Sequence, residues 1–399
     1  MQVGNPMKRK PEGKPMTFEF ADQSHEVAKI RVVGVGGAGG NAINRMIEDR
    51  MSGVDFIAMN TDLQALEQSK ASTVIQIGKN LTRGLGAGGN PEFGRKAIEE
   101  SKDAVIEALS DTDMVFIACG MGGGTGTGAA PIAAEIARDL GALTVGIITK
   151  PFMFEGTKRM ERAEAGIREL KEHVDTLIVV PNQKLITLAP KKTPLQEAFR
   201  MADDVLLQAT RGISDVINVP GLVNLDFADV RTVMSQMGDA LMASSVATGE
   251  NRGTQAAEKA ITSPLIEDVS ISGALGVLVN ITGGMDLALD DINDATTVVH
   301  EAAGDDANII FGAVIDPQME GEVRVTVIAT GFHRDGFRSS FYREQEDVMR
   351  DPLLNNGKSM SGGDDISEVF GEIFGADGGG MYVEKDDLNV PAFIRKQLD

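Results

Sequence analysis

Three short glycine-rich stretches contain the residues of this sequence best suited to hold an anion. They read GVGGAGGNA at 34–42, RGLGAGGNPE at 83–92 and GMGGGTGTGAAP at 120–131, and each follows a strand pattern and opens a helix pattern. Glycine lets the main chain approach a phosphate without a Cβ in the way, and free N–H groups at a helix N-terminus attract negative charge. Pro131 suits the first turn of the helix that follows. The stretches predict a phosphate cradle, although tight strand-to-helix packing would require the same glycines.

The glycine-rich stretches by themselves fit more than one phosphate-containing ligand. Gly34, Gly36 and Gly39 satisfy the dinucleotide fingerprint, and Asp62 lies roughly where an acidic ribose partner is expected. An NAD-dependent dehydrogenase is therefore one alternative, although it leaves the other two stretches unexplained. A P-loop ATPase is disfavoured because the sequence lacks the G-x-x-x-x-G-K-[ST] pattern. A non-catalytic scaffold that binds a nucleotide only to hold its fold is a further alternative.

The charge and the apolar content of the chain exclude several other classes of function. The 399 residues include 59 acidic and 38 basic side chains, which give a net charge of −21. Such a charge repels nucleic acid, so we predict no nucleic-acid partner. No apolar run approaches the roughly 18 residues of a membrane span, so we predict no direct membrane insertion. One cysteine and four scattered histidines predict no protein metal site and fit a cytoplasmic protein.

Strand and helix patterns alternate along the first half of the sequence. Apolar runs such as KIRVVGVG, VDFIAMN, MVFIAC and LTVGIITK predict strands, and PEFGRKAIEESKDAVIEALS predicts one helix among those between them. This alternation predicts a Rossmann-like, doubly wound parallel sheet in an α/β fold. The amphipathic stretch TPLQEAFRMADDVLLQATRGISDVIN predicts a long central helix that leads to a smaller α/β domain.

Composition divides the chain into six predicted segments. The ends are polar and rich in glycine, proline or both, which is typical of disorder, whereas the last residues regain apolar side chains. The segments are a disordered leader at 1–27, a nucleotide-binding domain at 28–194, the central helix at 195–221, a C-terminal domain at 222–333, a flexible linker at 334–387 and a docking peptide at 388–399.

Several of these motifs together resemble those of one protein family. GGGTGTG at 122–128 is similar to the signature loop of the tubulin superfamily. NTDLQAL before it, and TKPFMFEG, NLDFADVRTVM and VPAFIRKQ after it, occur in the order found in the FtsZ family of bacterial cell-division GTPases. The resemblance implies binding of GTP or GDP with Mg²⁺, and GTP hydrolysis. It further implies head-to-tail polymerisation into filaments of the contractile ring (Z ring) at the midcell division site.

The same resemblance assigns residues to the nucleotide. It implies that Phe199 stacks on guanine and that Asp203 accepts hydrogen bonds from N1–H and the 2-amino group, although the neighbouring Asp204 leaves open which carboxylate faces the base. Glu155 and Arg159 match positions near the ribose and phosphates, but their spacing also fits a solvated ion pair. The implied phosphate-binding residues are Gly37, Ala38, Gly39, Gly40, Asn41, Ala87, Gly88, Gly124, Thr125 and Gly126.

Two further segments receive roles from the resemblance. Asn224, Asp226 and Asp229 would enter the nucleotide site of the neighbouring subunit and position the attacking water. The sequence alone instead favours Asp226 or Asp229 as a helix N-cap. The last residues resemble the peptide through which the family binds membrane tethers and division regulators. The contacts implied for that peptide are Val390, Pro391, Phe393, Ile394 and Arg395.

Overall fold

The computed structural model describes residues 28–219, 221–235, 238–266 and 271–332. The predicted leader, the predicted linker and the predicted docking peptide lie outside these residues. No helix within the described ranges is long and apolar enough to cross a membrane.

The first six strands form a parallel sheet whose members are short apolar runs. The run Met114–Cys119 is completely buried, as expected for a central strand covered by helices on both faces. The strands are β1 (Ile30–Val35), β2 (Asp55–Asn60), β3 (Thr73–Gln76), β4 (Met114–Gly120), β5 (Leu143–Lys150) and β6 (Thr176–Pro181). Their order in the sheet is β3-β2-β1-β4-β5-β6, which is the doubly wound order.

Helices cover both faces of this sheet. They are α1 (Gly36–Glu48), α2 (Leu63–Glu67), α3 (Lys79–Thr82), α4 (Pro91–Glu100), α5 (Lys102–Leu109), α6 (Thr125–Asp139), α7 (Thr157–His173) and α8 (Asn182–Leu188), with a 3₁₀ turn at Met153–Glu155. The single helix predicted over PEFGRKAIEESKDAVIEALS is two helices, because Ser101 interrupts it. The Ser101 hydroxyl accepts a hydrogen bond from the Gly78 amide (3.1 Å), which ties the break to the loop after β3.

The second half of the fold follows the long helix α9 (Leu195–Asn218). Its elements are α10 (Phe227–Met234), β7 (Gly238–Thr248), α11 (Arg252–Ile261), β8 (Gly276–Gly283), α12 (Leu289–Ala303), β9 (Asn308–Ile315) and β10 (Glu322–Thr330). The start of β7 pairs in parallel with β6, and the rest of β7 pairs antiparallel with β10. The described strands therefore form one ten-stranded sheet, in the order given above and then β7-β10-β8-β9.

The apolar core is arranged around this sheet and α9. One cluster lies between the first sheet face and the apolar side of α9, including Leu206, Ala209 and Ile213, and a second lies under α4 to α7. A third fills the C-terminal domain between α11, α12 and the last strands. The predicted class, a mostly parallel α/β domain joined by a central helix to a smaller α/β domain, is confirmed.

Candidate functional site

A cavity of about 560 Å³ opens at the carboxyl ends of β1 and β4, where the strand order reverses. Open α/β sheets bind ligands at this switch point, and the volume lies within the roughly 300–1,000 Å³ typical of small-molecule sites. All three glycine-rich stretches contribute to the wall. The predicted binding residues that line it are Gly37, Ala38, Gly40, Asn41, Gly88, Gly124, Thr125, Gly126, Glu155, Arg159, Phe199 and Asp203.

The first glycine-rich stretch forms the beginning of α1. Gly36 has a positive φ of 75°, and a Cβ there would lie 2.9 Å from the Gly126 nitrogen, so only glycine fits. Gly37 and Gly40 differ, because a Cβ on either would meet no atom within 4 Å. Both line the cavity, so the space in front of them is open to a ligand next to the unpaired N–H groups of the first helical turn.

The glycine-rich stretch at 120–131 connects β4 to α6 and is held by threonine hydroxyls. Thr125 hydrogen-bonds Thr61 through their hydroxyl oxygens (2.7 Å), and the Gly122 amide donates to the Thr127 hydroxyl (2.8 Å). Gly122 has a φ of 94°, which favours glycine at this turn. The loop thereby directs the N-terminus of α6 toward the cavity, as an anion site requires.

The prediction that Pro131 lies in the first turn of α6 is wrong. The helix begins at Thr125, and the Gly128 amide already donates to the Gly124 carbonyl (3.1 Å), which places Pro131 seventh in the helix. The helix starts this early because its glycines pack against α4, where a Cβ on Gly128 would clash with the Pro91 carbonyl oxygen.

The glycine-rich stretch at 83–92 supplies a loop with unusual backbone angles. Arg83, Gly84, Gly86, Gly88 and Gly89 all have positive φ values between 53° and 82°. A Cβ on Gly88 would meet nothing within 4 Å, and Gly88 lines the cavity. The loop therefore presents bare backbone to the cavity, as the sequence suggests.

Two predicted phosphate-binding residues, Gly39 and Ala87, are not on the cavity wall. A Cβ on Gly39 would clash with the Ala118 carbonyl oxygen, so this glycine allows α1 to pack on β4. Ala87 is buried, and its methyl group lies 2.7 Å from the Cβ position of Gly124. The glycine-rich stretches therefore serve both purposes considered from the sequence: some glycines open the cavity and others allow close packing.

Glu155 and Arg159 form an ion pair (2.8 Å) on the cavity wall. The Glu155 side chain is only 2% exposed, and its other oxygen accepts the Phe152 amide hydrogen bond (2.8 Å). Burial raises the pKa of Glu155, an effect that Arg159 opposes, and burial lowers the pKa of Arg159. The pair is thus a buried part of the wall rather than a solvated surface pair.

One face of α9 closes the cavity on another side. The Phe199 ring meets the Phe152 ring edge-on, with centroids 5.3 Å apart, and Asp203 lines the cavity. Asp204 is not part of the cavity wall and forms an ion pair with Arg45 (2.7 Å). Burial and the neighbouring Asp204 carboxylate raise the pKa of Asp203 well above its usual value. Of the two aspartates, Asp203 is therefore the one that faces the cavity.

Asp62, considered as a ribose partner, is the N-cap of α2. One carboxylate oxygen accepts hydrogen bonds from the amides of Gln64 (3.0 Å) and Ala65 (3.3 Å). Asp62 also borders the cavity. Helix capping explains an aspartate here without a dinucleotide.

Asn224, Asp226 and Asp229 are exposed and do not line the cavity. Asp226 is the N-cap of α10 and accepts a hydrogen bond from the Ala228 amide (3.1 Å), while the Asn224 side-chain oxygen accepts one from the Gly221 amide (2.7 Å). The capping role that the sequence alone favoured is therefore present at Asp226. Asp229 lies in the first turn of the same helix and is exposed.

The position of α10 explains the separation of these three residues from the cavity. Arg231 donates to the Gly141 carbonyl (3.1 Å), just before β5, and Thr176, the first residue of β6, donates to the Met234 carbonyl. Helix α10 thus lies near the amino ends of β5 and β6, and the cavity lies at the carboxyl ends of the parallel strands. Within one chain, the predicted nucleotide-binding residues and the predicted catalytic residues therefore lie at opposite edges of the sheet.

Comparison with known families assigns both halves of this fold. The model of the Tubulin/FtsZ family GTPase domain matches residues 29–190, and that of the FtsZ family C-terminal domain matches residues 238–333. The chain belongs to the tubulin/FtsZ family. As a tubulin/FtsZ GTPase domain, its first half supports binding of GTP or GDP and GTPase activity in general.

Solved FtsZ structures agree with this assignment. A mutant FtsZ and an empty FtsZ dimer, both from M. jannaschii, are 46% identical to this chain with a TM-score of 0.75. These matches cover 77% of this chain and 92% and 89% of the two relatives. CetZ2 from Haloferax volcanii, in a GTPγS-bound protofilament, is 21% identical with a TM-score of 0.67, covering 81% of this chain and 99% of CetZ2. That likeness shows the shared tubulin/FtsZ fold alone.

Sequence reasoning missed several polar residues of the tubulin/FtsZ cavity. Asn182 lines the wall, is only 4% exposed, and its side-chain oxygen accepts no hydrogen bond from the described residues. Lys158 and Arg162 of α7 also line the wall. Asn182 directly follows the apolar run TLIVVP, and a polar residue at the carboxyl end of a parallel strand was the available signal.

Proposed function

We propose that this protein binds and hydrolyses GTP and polymerises head to tail, with the active site completed between adjacent subunits. The filaments would form the contractile ring at the cytoplasmic division site. One observation carries the proposal: the nucleotide cavity and the Asn224, Asp226 and Asp229 side chains lie at opposite edges of the same sheet. Stacking subunits head to tail brings the second edge of one subunit onto the first edge of the next.

Several groups on the cavity wall support a guanine nucleotide as its ligand. The helix N-termini at Gly37 and Thr125 would hold phosphates, and open space beside Gly40 and Gly88 leaves room for them. Asp203 would accept hydrogen bonds from guanine N1–H and the 2-amino group, and these bonds would favour its ionised form despite burial. Asn182 offers an unpaired side-chain oxygen on the same wall.

The hydrolytic step would use groups from the neighbouring subunit. Asp226 and Asp229 can accept hydrogen bonds from a water molecule, and Asn224 can help to orient it next to the terminal phosphate. Phosphoryl transfer depends largely on such positioning and on charge stabilisation. Mg²⁺ would neutralise phosphate charge; the described residues contain no cluster of three or more metal-ligating side chains, and Mg²⁺ commonly needs only one or two carboxylates besides phosphate.

The remaining segments complete the proposal. We propose a GTP-binding domain at 28–194, a central helix at 195–221 and a C-terminal domain at 222–333, followed by a linker and a peptide that docks onto membrane tethers and regulators.

Deleting residues 388–399 should leave GTP turnover within about twofold and abolish recruitment to tether-coated vesicles. Loss of most turnover on deletion would contradict a separate docking role.

The rate of phosphate release as a function of protein concentration tests the shared site. The rate per subunit should be near zero below a threshold concentration and should rise above it, because a monomer lacks half of the site. A rate strictly proportional to protein at every dilution would mean that one chain contains the whole site. A change in nicotinamide absorbance would instead support a dehydrogenase, and GTP binding without turnover at any concentration would support a scaffold.

A mixing experiment tests the same point without relying on concentration. An Asp226→Asn subunit should bind GTP but hydrolyse it poorly, and a Gly37→Asp subunit should repel phosphate while keeping its own Asp226. Gly37 suits this purpose better than Gly126, where a Cβ would lie 2.8 Å from the Gly120 carbonyl oxygen. Mixing the two variants should restore part of the turnover; no recovery in mixed filaments seen by electron microscopy would contradict completion in trans.

A further inference from the structure

Helix α7 begins with an unusual group of positive charges on the cavity wall. Lys158, Arg159 and Arg162 lie within its first two turns, all three line the cavity, and no acidic residue occupies the first turn. Cations at a helix N-terminus oppose the helix dipole, and like charges four residues apart, as in Lys158 and Arg162, destabilise a helix. In a chain of net charge −21, this arrangement is stabilised if an anion lies between the cations.

Of the two arginines, Arg162 is the one without a counterion among the residues that the structure describes. Glu155 neutralises Arg159 within the same wall, at 2.8 Å. Arg162 forms no ion pair with any residue in the described ranges, and its guanidinium Nη1 lies 3.6 Å from the Cβ position of Gly89. Its guanidinium is therefore beside the glycine-rich loop at 83–92.

The neighbours of this loop place Arg162 at the phosphate end of the cavity. Ala87 of the loop packs against Gly124, next to the N-terminus of α6. Asp203 lies instead on α9, where the adjacent Asp204 pairs with Arg45 in the second half of α1. Arg162 is thus close to the anion-binding helix end and away from the side that faces the base.

We propose that Arg162 is a specificity-determining residue that contacts the terminal phosphate of the triphosphate and makes the site prefer GTP to GDP. This inference rests on the proposed function, because it needs a guanine nucleotide in this cavity. The helix N-termini of α1 and α6 already provide backbone donors for the inner phosphates. A guanidinium on the loop side adds a charge-assisted contact that only the longer ligand reaches.

Equilibrium binding of GTPγS and GDP tests the assignment. The titrations use fluorescent analogues at protein concentrations below assembly. The variants are Arg162→Gln, the charge-preserving Arg162→Lys, and Arg168→Gln as a matched control. Arg168 is exposed on the same helix but does not line the cavity, so its replacement makes the same charge change elsewhere.

We expect Arg162→Gln to weaken GTPγS binding about tenfold, as for loss of a charge-assisted hydrogen bond at a partly exposed site. GDP binding should change less than twofold, Arg162→Lys should recover most of the loss, and the difference from wild type should shrink as salt rises. Equal loss for both nucleotides, no loss, or an equal effect of Arg168→Gln would overturn the assignment. A wild-type protein that bound neither nucleotide would instead overturn the proposed function, and the inference with it.

Discussion

The two edges of the parallel sheet differ in how much of their arrangement one chain completes. At the cavity edge, glycine backbone, the Thr125–Thr61 hydrogen bond and the buried Glu155–Arg159 pair fix the wall before any ligand arrives. At the opposite edge, the Asp226 carboxylate accepts its hydrogen bond among the described residues from its own helix, and Asp229 is exposed. One chain therefore builds the whole cavity wall that is described, whereas the carboxylates proposed for hydrolysis are exposed and, under our proposal, act on the nucleotide of a second subunit.

Replacing the Asp226 carboxylate should give the largest effect, and it should lower GTP turnover without changing GTP affinity. Asp226→Asn should lower GTP turnover about a hundredfold or more while GTP affinity stays unchanged, because only the opposite edge is altered. Asparagine caps helices about as well as aspartate, so α10 should remain intact. Phosphate release and equilibrium binding measure the two effects.

Asp226→Ala is the companion variant, since it also removes the cap and should cost about 1 kcal/mol of unfolding free energy. If Asp226→Asn kept full turnover and only Asp226→Ala lost it, capping rather than chemistry would explain this aspartate, and the comparison of the edges would fail.

Two glycines of α1 have different roles at the cavity edge: Gly37 faces the space for the ligand, and Gly39 allows the helix to pack on β4. Gly37→Leu should lower GTP affinity about a hundredfold without loss of stability, because its Cβ meets no protein atom and the side chain fills the cavity. Gly39→Ala should instead cost about 2 kcal/mol of unfolding free energy, since its Cβ would clash with the Ala118 carbonyl oxygen. Calorimetry and nucleotide titration distinguish them; the opposite pattern would contradict the division of roles.

The aspartate pair of α9 gives a smaller, selective effect. Asp203→Asn should weaken GTP binding about tenfold and reduce the preference for guanine over adenine, because the acceptor facing the cavity is altered. Asp204→Asn should leave affinity within about twofold and cost about 0.5 kcal/mol, as expected for a partly exposed ion pair with Arg45. Competition by ATP measures the preference, and a larger loss in Asp204→Asn would reverse the assignment.

A last expected effect concerns stability rather than either edge, and it lies at Asp215 near the end of α9. Burial raises the pKa of Asp215 to about 6, although Arg211 and Arg324 oppose the shift. A raised pKa favours the folded state at low pH, so this contribution is lost as pH rises through about 6. Between pH 5 and pH 7, wild type should lose about 1 kcal/mol relative to Asp215→Asn. Denaturant unfolding at both pH values measures the unfolding free energy of each protein. If the difference between wild type and Asp215→Asn were the same at both pH values, Asp215 would not be the group that titrates.

The sequence allowed much of the fold and of the site to be predicted, because both depend on local patterns. Apolar runs that alternate with amphipathic stretches are enough for a doubly wound sheet, and the glycine-rich stretches mark its carboxyl edge. Two of the errors concern helix boundaries. Pro131 lies deeper in α6 than expected, and Ser101 divides a predicted helix, because contacts with α4 and with Gly78 decide where these helices begin and end.

By itself, the sequence determined the strand and helix pattern, the negative charge and the places where bare backbone can meet an anion. Only the tertiary structure decided which glycine faces the cavity and which allows packing, as Gly37 and Gly39 differ by what lies opposite their Cβ positions. It also decided that Asp203 faces the cavity while Asp204 pairs with Arg45, and that Asn182 joins the wall. Residue type and spacing specify local conformation, but a side chain's role depends on neighbours that are distant in sequence, and only chain packing brings these together.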